Sequence, residues 1–557
     1  MKKLLTTLAS IATLCSLIYL CISCGSRPTD VVADTIYING VVITVNPDQP
    51  NAQAFAVTGD RFIAVGKNRQ IRRLAGPNTK IVDLQGRTVT PGFNDAHVHI
   101  LTTYPEDSPF WVPWLGPENV RSMDELIAVM KRKAAQVPPG ELVHGQRYQD
   151  DWLGGHPTRW DLDKISTVHP VSVRHSSGHV SVVNSYVLEN SGVTKNTPDP
   201  TGQFGRDENG ELNGRIYAGG MSRLRIPRSS AGSPSEDVER NAYLNNFHQH
   251  ARNGLTSIGI AGPPSFDRIQ ALRDSALIIR LAVMPSANFF NELMRRDISF
   301  GDGDEHIRIS AMKLFHGNSF SGNTCWVSEE YVGRPGFFGI PPTRSQESLD
   351  SVIQRFHDAG YQVATHSNGD REIDMTITAI ERAQANNPKD LRHRIEHASI
   401  MTMPLLERAK AAGIILVFHS YLYEHGEKIG VFEDRIEMIH PYRTAIDMGV
   451  RVAGHSDFPI APATPIVRIH SMVNRLSREG RPMGLSQRTT VEEAIKVWTL
   501  DGAFTTFEED IKGSITPGKL ADFVILTKDP RRVPVEEIKN IEVYATFVGG
   551  VQVWQAP

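Results

Sequence analysis

The sequence predicts an α/β fold: a (β/α)₈ barrel of the TIM type, joined to a small β-sandwich domain built from both chain ends. Three observations predict it. A unit of amphipathic helix, glycine and short apolar strand recurs through the middle of the chain. Each of those strands runs into a polar or chemically reactive residue. Runs rich in β-formers sit at the two ends, outside the repeating part. With 557 residues, 40% hydrophobic and 22% charged, the chain exceeds one minimal domain. That length suits a barrel of about 250 residues or more with insertions and a second domain.

From residue 34 to 90 the chain reads as strands. Asn39-Gly40 and Gly59-Asp60 are turn signals between β-rich runs at 41–45 and 62–65. The far end reads alike, with runs at 523–526, 543–548 and 551–554 around Gly549-Gly550. Residues 30–90 and 513–557 therefore form one composite β domain, and 91–512 form the barrel set between them. In the barrel, Leu349, Val352, Ile353 and Phe356 fall at helical spacing, Gly360 stops the helix, and 361–365 runs as a strand into His366. Residues 405–412, Gly413 and 414–418 repeat the unit and end at His419. Residues 442–448, Gly449 and 450–453 repeat it again and end near Asp457. An earlier copy passes through Asn253-Gly254 into 255–260. Such alternation implies a parallel sheet, closed or open. A doubly wound sheet leaves reactive residues at so many strand ends unexplained, whereas a barrel gathers all of them at one mouth. Residues 104–250 break the rhythm and read as an insertion, part lid and part substrate pocket. Its Trp111, Trp114, Trp152 and Trp160 have a plainer reading, one by one, as core.

The first 24 residues read as a targeting segment. Lys2 and Lys3 precede a mostly apolar run over 4–22, and small residues flank Cys24. The pattern resembles a bacterial lipoprotein signal, cut before a cysteine that then carries lipid, although Cys21 stands where that family usually has Leu. The expectation is an exported, membrane-anchored lipoprotein facing the periplasm or the cell surface. Plain secretion and an uncleaved membrane-spanning anchor are the alternatives. Cys15 and Cys21 fall inside the segment, so cleavage leaves Cys24 and Cys325 and no disulfide framework. A formal net charge of −3 offers no broad basic field, which excludes nucleic acid as a partner and leaves membrane contact to the anchor alone. A homo-oligomer is neither required nor excluded.

The chemistry concentrates at strand ends. In Asn94-Asp95-Ala96-His97-Val98-His99, which follows the apolar run at 88–93, the two histidines stand at i and i+2 and can present both imidazoles to one point. A lone pair of this kind is weak, and most are surface or packed histidines. His366 closes a strand, His397 closes Arg394-Ile395-Glu396-His397, and Asp457 follows Ala453-Gly454-His455-Ser456. Each alone is more often a core or loop residue. Together they supply the nitrogen and oxygen ligands of Zn²⁺ or another divalent metal.

Several stretches carry a more specific signal: 91–99, Ser176-Ser177-Gly178-His179 with Asn184-Ser185, 202–214, Lys313-Leu314-Phe315, 366–370, 394–397, Ser456-Asp457 and the GSITPGKLAD run at 513–522. Jointly they resemble the amidohydrolase superfamily, in its family-3 branch of N-substituted formamide deformylase-like proteins, over essentially everything after the targeting segment. The resemblance implies one or two metals per chain. His97 and His99 would bind the deeper one, with Asp457 contributing to it and handling protons. Lys313, carboxylated on its amine, would bridge to a second metal held by His366 and His397; its bland reading is a salt-bridged lysine. His179 would contact substrate or serve structure. Two departures fall near the mouth. Ser367-Asn368 replace the common Ala-Ile, and His316 stands where relatives carry a small residue or an acid. No relative's substrate is therefore carried over. The implied reaction is hydrolysis of a C–N bond in a small-molecule amide or N-substituted formamide, with Asp457 as general base and acid. A deaminase acting on a cyclic C=N bond is the alternative within enzymes. A non-catalytic surface-binding lipoprotein is the alternative outside them, and it predicts a missing ligand where none is missing.

Overall fold

The computed structural model describes residues 32–557 except 101, 103, 118, 200–202, 228–231, 264–265 and 274–276. The targeting segment and Cys24 lie outside the described residues, and 202 is the one position of the 202–214 stretch that does. No helix among the described residues is long and apolar enough to cross a membrane.

The fold is α/β, and nine parallel strands among the described residues organise it. Eight of them are β1 (Phe93–Val98), β2 (Leu255–Ala261), β3 (Arg280–Met284), β4 (Met312–Phe315), β5 (Val363–Ser367), β6 (Arg394–His397), β7 (Ile415–His419) and β8 (Val452–His455), and the ninth is the short Ile307–Ile309. The glycine-ended units are why they form. The helix Gln346–Asp358 starts where the Ser345 hydroxyl accepts from the Ser348 N–H and buries Leu349, Ile353 and Phe356. It stops at Gly360, whose φ of +81° is the left-handed conformation that releases the chain into the strand. Strands β4 to β8 hydrogen-bond in sequence order. A second parallel sheet runs from Ile307–Ile309 through β3 and β2 to β1. The two sheets meet at both margins. Lys313 N donates to Pro285 O at 2.8 Å between β4 and the end of β3, and Asp457 N donates to His97 O at 3.1 Å between the ends of β8 and β1. The largest apolar cluster packs these strands against their helices.

Both chain ends share one six-stranded sheet. Its order is Val551–Gln555, Val543–Val548, Phe523–Leu526, Thr88–Pro91, Val41–Ile43, Asn51–Ala52. A four-stranded sheet of Arg61–Gly66, Ala54–Thr58, Ala33–Ile38 and Ala75–Asp83 shares a core with it. Tyr37 stacks on Phe55 at 4.7 Å and Phe523 on Phe547 at 4.3 Å. One expectation changes here: the run at 88–93 is not the strand that carries the histidines. Thr88–Pro91 belongs to the terminal sheet, and the chain crosses at Gly92, where a Cβ would sit 2.1 Å from the Thr256 hydroxyl. His97 lies inside the next strand, β1.

The insertion has its own five-stranded sheet, ordered Phe204–Arg206, Leu212–Tyr217, Val180–Val183, Val171–His175, Val143–Tyr148. Its tryptophans are not core. Trp152 and Trp160 are exposed, and Trp111 and Trp114 are only half-buried. Each instead lies beside a cation, as Trp114 does under the Arg147 guanidinium at 4.8 Å.

Candidate metal centre

β1 brings the first two ligands. His97 and His99 share a face, with ring centroids 5.1 Å apart. Each ring's Nδ1 meets an acceptor that has no proton to give. For His97 it is the Glu396 carboxylate, itself gripped by Arg394 at 2.5 and 2.9 Å. For His99 it is the Ala261 carbonyl oxygen at 2.9 Å. Both Nδ1 atoms therefore carry the proton, and both Nε2 atoms present lone pairs. Burial, reinforced by Lys313 and His99, holds the His97 pKa well below its usual value, so the ring stays neutral. The two lone pairs stand 3.5 and 3.4 Å from one carboxylate oxygen, Asp457 Oδ1. That oxygen is buried and accepts no hydrogen bond among the described residues. Three acceptors within 4.8 Å of one another repel unless a cation lies between them. The set fits zinc or a similar divalent ion.

β5, β6 and β8 close the other side. His397 Nδ1 lies 3.9 Å from Asp457 Oδ2. His455, to which the sequence reading gave no role, joins His397 and Asp457 in a second donor group. His366 stands beside His397, rings 4.5 Å apart, but outside both groups. Its Nε2 sits 3.0 Å from the Asn318 carbonyl oxygen and 3.1 Å from the Asn368 amide nitrogen. Lys313 is fully buried with Nζ 3.5 Å from His97 Nε2. Burial pushes its pKa down to about 8, against the upward pull of Glu396 and Asp457, so a fraction of the amine is neutral at neutral pH. The structure thus gathers all six predicted ligands, four of them (His97, His99, His397 and Asp457) within the two tight groups. His397 and Asp457 have φ of +72° and +56°, left-handed backbone that most side chains avoid and that clusters at active sites.

The centre opens on a cavity of about 760 Å³ whose lining includes His99, His366, His397 and Asp457. The insertion contributes Arg147, Arg174 and His179. The His179 ring is 5.2 Å from that of His366, and burial, then Arg174, push its pKa down to about 4. Its turn is held by a chain of hydrogen bonds: His179 N–H to Ser177 Oγ at 3.2 Å, Ser177 hydroxyl to His175 Nδ1 at 2.8 Å, and His175 Nε2–H to Asp150 at 2.9 Å. Asp150, His156 and His175 resemble a second metal site in composition. The Ser177 N–H, however, also donates to His175 Nδ1, which places the ring's proton on Nε2 and commits that atom to Asp150. His316 is buried away from the cavity, so of the two departures only Asn368 reaches it. Like His455, Glu396 and Arg394 are residues at the centre to which the sequence reading gave no role.

The sequence model of the amidohydrolase family matches residues 80–554. The chain belongs to that family. Among curated relatives of this amidohydrolase, the N-substituted formamide deformylase of Arthrobacter pascens is 27% identical, over 93% of this chain and 98% of the relative. The putative amidohydrolase YtcJ of Bacillus subtilis is 25% identical, over 93% and 99%. Among solved structures, an uncharacterized metal-dependent hydrolase from Pyrococcus horikoshii superposes with a TM-score of 0.68 at 23% identity, over 90% of this chain and 99% of that one, which speaks for the fold. Family membership and the donor set together make the chain a metal-dependent hydrolase.

Proposed function

We propose that this amidohydrolase cleaves the C–N bond of an amide or N-substituted formamide, at a centre built for zinc on one side of a closed (β/α)₈ barrel. The reading of the terminal sheets as a β-sandwich belongs to the same proposal, and the shared aromatic core supports it. The observation that carries the reaction is the convergence of two imidazole lone pairs on the unpaired Asp457 oxygen. His97, His99 and Asp457 would hold a divalent ion, which would supply Lewis acidity and lower the pKa of water there. Glu396 fixes the His97 tautomer, and Arg394 fixes Glu396. Asp457 takes the proton of the attacking water and hands it to the leaving nitrogen. His179 faces the substrate across the cavity. The Lys313 amine, carboxylated by carbon dioxide with loss of a proton, would together with His366 and His397 hold a second ion. The alternative of a cyclic C=N deaminase has no observation in its favour.

Residues 1–24 belong to this reading as an export signal with Cys24 lipid-modified. The test is the full-length chain, extracted from membranes and purified without chelator. Elemental analysis should find one or two divalent ions, mostly zinc, and mass spectrometry a lipidated Cys24 at the N-terminus. A panel of N-acyl and N-formyl amines should be turned over, with activity lost to chelation and to the paired substitution His97→Ala, His99→Ala. Full-rate turnover by metal-free wild-type protein would end the metal reading. Turnover of amino-substituted cyclic amidines alone, with release of ammonia, would select the deaminase. An intact Met1 terminus would remove the anchor.

A further inference from the structure

A second cavity of about 410 Å³ lies beside the one over the metal centre. The two share Thr102, Gln146, Arg147 and Pro459 as a common wall. The outer chamber is lined by aromatic rings: Tyr104, Trp111, Trp114 and Phe458. Trp111 and Trp114 are only half-buried, so part of each side chain is left for the chamber that they line. Indole surface left in a concave site is what a flat apolar group gains most by covering. The charged groups nearby are committed to the protein. Glu424 accepts from Arg468 at 2.7 Å, and the Arg478 guanidinium lies over Trp152 at 5.5 Å.

Arg147 stands between the chambers. Its φ is +74°, a conformation that a long side chain adopts only when its surroundings enforce it. Here its guanidinium donates to Ile460 O at 2.7 Å, three residues after Asp457, and covers the Trp114 ring. One side chain therefore forms part of the inner wall, reaches the loop that carries Asp457 and stacks on the outer chamber's aromatic lining.

We propose that the outer chamber is a substrate subsite for an aromatic substituent, so that the substrate is an amide carrying an aryl group beyond Arg147. This rests on the amide-hydrolase reading and specifies the part of the substrate which that reading leaves open. The inner cavity alone exceeds what a small formamide fills, and drug-sized ligands occupy sites of about 300–1,000 Å³. Two chambers that share a wall suit an elongated molecule with its scissile bond in one and a ring in the other.

The test is a series of N-formyl amines on the metal-loaded enzyme, from N-methyl through N-benzyl to N-(4-benzyloxybenzyl), with a matching series carrying the ring on the acyl side. In one of the two series, kcat/KM should rise at least tenfold from the shortest to the longest member. Trp111→Ala and Trp114→Ala should each cut that long-to-short ratio at least fivefold. Val112→Trp, which fills the chamber from its rim without removing a packed side chain, should do the same. Calorimetric binding of both series to the metal-loaded Asp457→Asn variant gives a readout that does not depend on turnover. Ordered binding without hydrolysis by the wild type would sink the hydrolase reading and keep the subsite. Hydrolysis with a ratio that none of the three substitutions moves, or equal binding along both series, would overturn the subsite and leave the hydrolase.

Discussion

Asp457 combines two tasks that only a carboxylate performs together. One oxygen faces the His97 and His99 lone pairs, and the group as a whole can accept a proton. Asparagine keeps an oxygen ligand and tolerates the left-handed backbone at φ +56°, but its amide is not basic. Asp457→Asn should keep its fold and much of its metal, while kcat falls by about 10²–10⁴. A structural carboxylate would behave the other way, with a lower melting temperature and an unchanged rate per folded molecule. Two further histidines near these strand ends, His316 and His419, are buried and neither lines the cavity, so neither is placed to carry that proton. At this scale the sequence was legible where a regular strand governs: the i, i+2 rule placed His97 and His99 correctly. It failed at Glu396 because side chains alternate along a strand, which puts Glu396 and His397 on opposite faces. The left-handed backbone at His397 and Ala398 ends that alternation, so both residues reach His97. No local pattern announces such a turn.

Among the elements, the helix Asp370–Asn386 does more than cover β5. The Glu372 carboxylate in its first turn accepts from the N–H groups of Asn318 and Trp326 through one oxygen, at 2.9 and 2.8 Å. Its other oxygen accepts from Asn368 and Gly369 at 2.9 and 3.1 Å. The loops after β4 and β5 are thus fastened to one buried side chain, and Asn318 in turn holds His366. Burial pushes the Glu372 pKa up to about 7, although all four donors favour the charged form. In Glu372→Gln an amide NH₂ faces two N–H donors. The variant should lose about 2–4 kcal/mol in denaturant unfolding, since each stranded donor costs about 1–3 kcal/mol. A loss under about 0.5 kcal/mol would mean that the loops have other anchors. Helix-stopping glycines were legible because the left-handed terminus they form is a local need, as at Gly360, Gly413 and Gly449. Gly454 answers a need that no local pattern shows. A Cβ there would meet the Trp498 indole at 2.6 Å, a contact between distant parts of the chain.

Across the whole molecule, the question is how the sheets from the chain ends are tied to the strands that carry the ligands. The GSITPGKLAD run was legible as a motif, but its last residue acts through a partner 242 positions away, which no local pattern encodes. Asp522 receives Arg280, the first residue of β3, through two hydrogen bonds of 2.7 and 3.0 Å, with both side chains buried. It also accepts the Gly549 N–H at 2.8 Å, while its backbone carbonyl accepts the Gly92 N–H at 2.9 Å, just before β1. The entry of the strand bearing His97 and His99 is therefore set by the same residue that neutralises Arg280. Asp522→Ala strands a buried guanidinium and should cost about 3–5 kcal/mol in thermal or denaturant unfolding, the usual penalty for breaking one side of a buried pair. The double variant Arg280→Met, Asp522→Leu removes both charges and should recover most of that loss, because a buried pair often contributes little over apolar groups of similar volume. If the single variant loses less than about 1 kcal/mol, water reaches the guanidinium and the pair is no tether. If the double variant is as unstable as the single one, the loss comes from the Gly549 N–H left without its Asp522 acceptor, and the chain ends are held by that contact and not by charge.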